Sequence, residues 1–141
     1  EEEPVDSALI KQLEFNKYMV MAADEQCIQY VKSTNLPFTQ DDLGFWYYKS
    51  IKTQADTLKK GQQVCLHIQV YELNDTLLAD VKEVFSIGSG RLPSALNHTL
   101  LITCMGEEVQ VVAPWYTAYG VEGTSVIKPY SNLLITLTVE Q

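Results

Sequence analysis

The clearest pattern in the chain is the alternation over Val64-Cys65-Leu66-His67-Ile68-Gln69-Val70-Tyr71. A period of two puts Val64, Leu66, Ile68 and Val70 on one face of a strand, because successive residues of an extended chain point to opposite sides. Val109-Gln110-Val111-Val112 repeats the pattern more weakly. Leu133-Leu134-Ile135-Thr136-Leu137-Thr138-Val139 predicts a long closing strand. Phe45-Trp46-Tyr47-Tyr48-Lys49-Ser50-Ile51 predicts another, since aromatic and β-branched side chains suit a pleated, half-buried surface. Lys59-Lys60-Gly61-Gln62 reads as the turn into the alternating strand.

Helical spacing occurs twice. Over residues 6–33, Leu9, Leu13 and then Val20 or Met21 fall near one face, and Asp6 or Ser7 offers a short oxygen side chain as cap. Asp24 can cap a second segment, in which Cys27, Ile28 and Val31 form an apolar stripe. The spacing accommodates one helix or two, and Ala22-Ala23-Asp24 is the expected break. Thr34-Asn35-Leu36-Pro37 ends the pattern, because proline cannot continue a helix and pushes its predecessor toward extended geometry. The second place is Arg91–Leu101, with Leu92, Leu96 and Leu100 at i, i+4 and i+8 and with Pro93 suited to a first helical turn. Strands before and after one short helix predict an α+β fold: a mostly antiparallel twisted sheet wrapped round a central helix, preceded by an N-terminal helical segment. The expected division is a helical arm and linker over 1–43 and a domain over 44–141.

Composition narrows the function. At 141 residues, 46% of them apolar and 20% charged, the chain can bury a core. Ten basic against eighteen acidic residues give a net charge of −8. That disfavours nucleic acid and anionic bilayers, which need an excess of Lys and Arg. Cys27, Cys65 and Cys104 lie far apart without CxxC spacing, so no zinc or redox motif exists and no metal or other cofactor is expected. They read as small buried apolar side chains, and His67 as a packed or hydrogen-bonded residue. No stretch reaches the roughly 20 apolar residues of a membrane span. The Glu1-Glu2-Glu3-Pro4 start reads as a trimmed terminus, compatible with a short tether behind a removed export signal, although an arbitrary cut gives the same picture. Asn74-Asp75-Thr76 and Asn97-His98-Thr99 fit a glycosylation pattern that is common by chance.

The last third carries the most specific signal. Phe85-Ser86-Ile87-Gly88, then Met105-Gly106-Glu107-Glu108, then Pro114-Trp115-Tyr116-Thr117-Ala118-Tyr119-Gly120, with Ile127, Pro129 and Leu133 beyond, occur in one order and without a gap from Gly88 to Gly120. This order resembles the FK506-binding-protein (FKBP) type of peptidyl-prolyl isomerase over about residues 44–140, with Lys60-Gly61-Gln62 resembling the turn before that family's first pocket strand. The arm and the Gly44-Phe45-Trp46-Tyr47 start are similar to exported bacterial members, including lipoproteins. The resemblance therefore implies an extracytoplasmic location with a lipid tether at the N-terminus and a protein or peptide partner, proline-containing or not. The apolar stripe of the arm suits either self-association or a partner, or packing against the outer face of the sheet within the same chain.

It also implies a substrate pocket, formed here by Ile68, Leu78, Asp80, Leu92, Leu96, Tyr119, Val126, Ile127 and Ile135, with Tyr119 in the catalytic position. The chain departs from the family at this pocket. Leu96 stands where the family has its floor tryptophan, and Ile68 where it has a strand tyrosine. Leu78-Ala79 replaces a Phe-Asp pair, with Asp80 one residue later as a partial substitute for the carboxylate. Ile135 replaces a phenylalanine. Pro93 falls where a backbone N–H would bind ligand, and proline has none. The expectation is a peptide-binding or scaffolding module whose isomerase activity is weak or lost; the alternative is an active isomerase and folding chaperone with an aliphatic pocket. Trp115 and Tyr116 are either a lip that grips peptide or ordinary packing. The Tyr119 hydroxyl either serves the pocket or bonds a backbone acceptor.

Overall fold

Val64, Leu66, Ile68 and Val70 are buried while Cys65, His67, Gln69 and Tyr71 are half-buried, as a period of two requires of a strand with one face on the core. A computed structural model describes residues 7–140. In chain order it contains helix α1 (Ser7–Thr34), β1 (Thr39–Gln40), β2 (Trp46–Ile51), β3 (Gln63–Glu72), β4 (Leu77–Ser86), helix α2 (Ser94–Leu100), β5 (Glu108–Ala113), a 3-10 turn (Trp115–Thr117) and β6 (Leu133–Val139). The strands form one antiparallel sheet in the order β1-β2-β5-β6-β3-β4. The fold is the expected α+β arrangement.

One face of the sheet holds the core. Val64, Leu66, Ile68 and Val70 of β3 meet Val109 and Val111 of β5, Ile135 and Leu137 of β6, and Ala95, Leu96 and Leu100 of α2. Helix α2 begins later than its leucine spacing suggests. Leu92 precedes a proline, and Pro93 itself is extended (ψ 160°), so it caps the helix instead of entering it. Its carbonyl accepts from the Leu96 and Asn97 N–H groups at 3.1 and 3.0 Å.

Helix α1 is continuous, so the expected break at Ala22-Ala23-Asp24 does not occur. Asp24 caps nothing; its carboxylate accepts from the Tyr116 hydroxyl, a bond to another element. The buried face of α1 is Ala23, Cys27 and Val31. Cys27 and Val31 pack on Val112 with Trp46 and Leu134, on the side of the sheet opposite α2. All three cysteines are free thiols. Burial, and secondarily Asp24, pushes the Cys27 thiol up to about 12, so it behaves as an apolar side chain. The alternative cap Asp6 and the Glu1–Pro4 start lie outside the described residues.

Candidate functional site

Three segments converge beside Tyr119. The first is the β3–β4 hairpin, whose core-side residues reach the edge of the sheet. The second is the loop entering α2. The third is the long connection from the 3-10 turn to β6. They enclose an open cavity of about 310 Å³, lined on the sheet side by Ile68, Val70, Ala79, Val81 and Phe85 and on the loop side by Leu92, Tyr119, Val126 and Ile127. Arg91 and Glu83 stand at its rim.

The connection is shaped by its own backbone bonds. The Gly120 N–H donates to the Trp115 carbonyl at 2.9 Å, closing the turn that presents Tyr119. The Thr124 N–H donates to the Ile127 carbonyl at 2.8 Å, and the Ile127 N–H to Thr124 Oγ1 at 3.1 Å. This tight loop needs glycine at 123: φ is +65°, and a Cβ there would collide with the Ile127 carbonyl oxygen. Ser94 Oγ donates to the Thr117 carbonyl at 3.2 Å and so ties the start of α2 to the same loop.

Of the expected pocket residues, Ile68, Leu92, Tyr119, Val126 and Ile127 line the cavity together. Leu96 and Ile135 are 0% exposed and lie within the core, not on the cavity wall. Leu78 is half-buried against that core, next to an irregularity in the β3–β4 register. Asp80 lies on the opposite face of β4 and bonds the His67 ring at 2.6 Å, so its carboxylate does not stand in the cavity. Val70, Ala79, Val81 and Thr124 line the cavity as well, as do Glu83, Phe85 and Arg91, and none of these was an expected pocket residue. The Arg91 guanidinium pairs with Glu83 and lies 4.6 Å above the Phe85 ring, a cation–π stack that walls one side of the mouth.

The tyrosine itself is available. Among the described residues its hydroxyl has no hydrogen-bond partner, and burial raises its pKa, so it stays protonated and able to donate. Trp115 and Tyr116, by contrast, are packing residues. The Trp115 indole N–H donates to the Met19 carbonyl at 3.0 Å, and the Tyr116 hydroxyl donates to Asp24.

The sequence model of the FKBP-type peptidyl-prolyl cis-trans isomerases matches residues 54–140, well over half of the chain. The chain belongs to that family. Comparison with curated proteins gives no match. Solved FKBP structures share the fold at low identity. FkpA from Escherichia coli aligns over 99% of this chain and 74% of its own, at 14% identity and a TM-score of 0.72. A peptidyl-prolyl cis-trans isomerase from Pseudomonas syringae aligns over 86% and 93%, at 16% identity and a TM-score of 0.71. The N-terminal domain of FKBP42 from Arabidopsis thaliana aligns over 74% and 91%, at 18% identity and a TM-score of 0.66.

Proposed function

We propose that the chain is a peptide-binding module of the FKBP family whose cavity accepts a proline ring and whose isomerase turnover is weak or lost. The observation that carries this reading is the pairing of an open aliphatic cavity with an unengaged Tyr119 hydroxyl. Such a cavity can desolvate a prolyl residue, and the hydroxyl can donate to a neighbouring carbonyl.

Turnover asks for more than binding. Prolyl isomerisation passes through a twisted amide whose lost resonance makes it less polar, over a barrier of roughly 18–20 kcal/mol. Acceleration needs contacts stronger to that twisted state than to the planar one. At the start of α2 this chain offers Pro93, with no N–H, and Leu96, with no indole. The cavity walls are mainly aliphatic, with Phe85 and Tyr119 as their aromatic members, and aliphatic contacts discriminate little between planar and twisted forms.

The alternative, an active isomerase and folding chaperone, is favoured by the same open cavity. A proline-isomerisation assay on an Ala-Xaa-Pro-Phe-type peptide, with Tyr119→Phe and Tyr119→Ala as controls, separates the two. A rate within a few-fold of buffer supports the module. A strong rate lost in Tyr119→Ala establishes the enzyme.

The arm extends the reading. Leu13 and Met21 of α1 are 59% and 65% exposed and give the arm an apolar stripe at its surface. Self-association through this stripe is the use we assign it. The similarity to FkpA spans the arm as well as the domain, and this supports placing the chain with the exported, tethered members, outside the cytoplasm. The domain boundary near residue 43 belongs to the same reading.

A further inference from the structure

The sheet ends unequally. At one end β1 is two residues long, which leaves little to pair with. At the other, β4 runs for ten residues and pairs only with β3. Its register is unbroken from Gln63↔Ser86 to Val70↔Ala79.

The ladder tells which groups on β4 are unspent. The Ile87 N–H donates to the Gln62 carbonyl at 2.9 Å, so Ile87 faces β3. Residues of an antiparallel strand alternate between bonding one neighbour and turning both groups away from it. Phe85, Glu83, Val81 and Ala79 therefore bond β3, while Ser86, Val84, Lys82 and Asp80 turn their N–H and C=O groups outward. Natural edges of this length are commonly guarded by charged side chains. Here Asp80 and Lys82 are both paired within the chain, Asp80 to His67 at 2.6 Å and Lys82 to Glu140 at 3.5 Å, although both remain exposed. Val84, between them and the strand end, is 57% exposed.

The same strand walls the cavity, because Ala79, Val81, Glu83 and Phe85 line it. We infer that the free edge of β4 takes an extended, proline-bearing segment of a client protein as an added antiparallel strand, with the proline ring directed into the cavity. This rests on the peptide-binding reading above.

The register supplies the chemistry. In an added strand, residues opposite Val84 and Lys82 bond β4 through their own N–H and C=O groups. Residues opposite Val81, Glu83 or Phe85 turn their N–H away and carry their side chains on the cavity face. Proline has no N–H and fits a strand only where none is needed. The positions that tolerate proline are thus the ones aimed at the cavity. The partner is an extended peptide with one proline, free N–H groups on both of its neighbours, and apolar side chains to cover Val84. Main-chain bonds supply affinity and the pocket supplies selectivity, as in other cases of strand addition.

The test uses the whole chain and the peptide acetyl-Ala-Val-Thr-Pro-Val-Thr-Ala-amide, with binding followed by amide NMR shifts. N-methylation of either residue next to the proline should weaken binding about tenfold, the loss of one or two hydrogen bonds. N-methylation two residues away should change it by less than about twofold, because that N–H faces away from β4. Val84→Pro removes one outward N–H without touching the β3 ladder and should reproduce the loss. If both methylation patterns act equally while Tyr119 still shifts, the peptide sits in the cavity without joining the sheet, and this inference fails alone. If neither Tyr119 nor β4 responds to the peptide, the peptide-binding reading fails with it. If the chain pairs with itself and Val84→Pro abolishes that pairing, the edge belongs to a second copy and the inference is overturned.

Discussion

The Tyr116 hydroxyl donates to the Asp24 carboxylate, and this bond joins the arm helix to the turn that presents Tyr119. Around it stand the Trp115 indole bond to the Met19 carbonyl, at 3.0 Å, and the Tyr130 hydroxyl bond to Asn16, at 2.7 Å. The arm is therefore seated on the outer side of the loop whose inner side is the cavity. Tyr116→Phe should remove a charge-assisted bond worth about 1.5–3 kcal/mol. Hydrogen exchange should then rise in both α1 and residues 115–120. A rise confined to one of them would show that the bond does not couple arm and loop.

Glu107 is a buried carboxylate, 2% exposed, held by Lys49 Nζ at 2.9 Å and by the Cys104 and Thr53 N–H groups at 2.7 and 3.1 Å. Burial alone pushes its pKa up, but the Lys49 bond and the two backbone donors together pull it below the ordinary value. A folded pKa below the unfolded one gives stability that is present above the unfolded pKa of about 4.3 and is lost as pH falls through the folded pKa. Denaturation from pH 7 down to 2 should show this loss. Glu107→Gln should cost about 2–3 kcal/mol at pH 7 and flatten the acid limb. An unchanged acid limb in the variant would assign the pH dependence to other carboxylates.

Gly123 shapes the loop that holds Val126 and Ile127 against the cavity, with φ at +65° and no room for a Cβ beside the Ile127 carbonyl. Gly123→Ala should cost more than about 1 kcal/mol and weaken peptide binding while the sheet persists. Circular dichroism against a peptide titration reads both. Full binding in a stable variant would show that the loop does not form the cavity wall.

With Leu9, Leu13 and Met21 exposed on one stripe of α1, light scattering should give a dimer mass. Leu13→Glu combined with Met21→Glu, or removal of residues 1–33, should return the monomer. A monomer mass for the intact chain would leave the stripe without the use assigned to it.

Much of this was legible in the chain itself. β3 and β6 carry clean alternation because each has one face on the core, and the 118–120 motif marks the loop on the cavity. β4 was not legible. Leu77-Leu78-Ala79-Asp80-Val81-Lys82-Glu83-Val84 is mostly exposed or half-buried on both faces, as an edge strand is, so its polarity follows no core. The arm misled differently. Leu9 and Leu13 share a helix face with Cys27 and Val31 but sit on early turns that are exposed, while Ala23 and the expected stripe residues Cys27 and Val31 are buried. Asp24 looked like a cap because its partner, Tyr116, is 92 residues away. Asp80 looked like a pocket carboxylate until the pleat turned it to the other side.

The central claim is that the cavity beside Tyr119 binds prolyl peptide and accelerates its isomerisation little. Two-dimensional exchange NMR on one proline peptide, with and without the chain, measures both at once. The expected result is shifts at Tyr119, Val126 and Ile127 together with a cis–trans exchange rate within a few-fold of the free peptide. Shifts at those residues with a rate raised by orders of magnitude and abolished by Tyr119→Ala, or no shifts there at all, would contradict it.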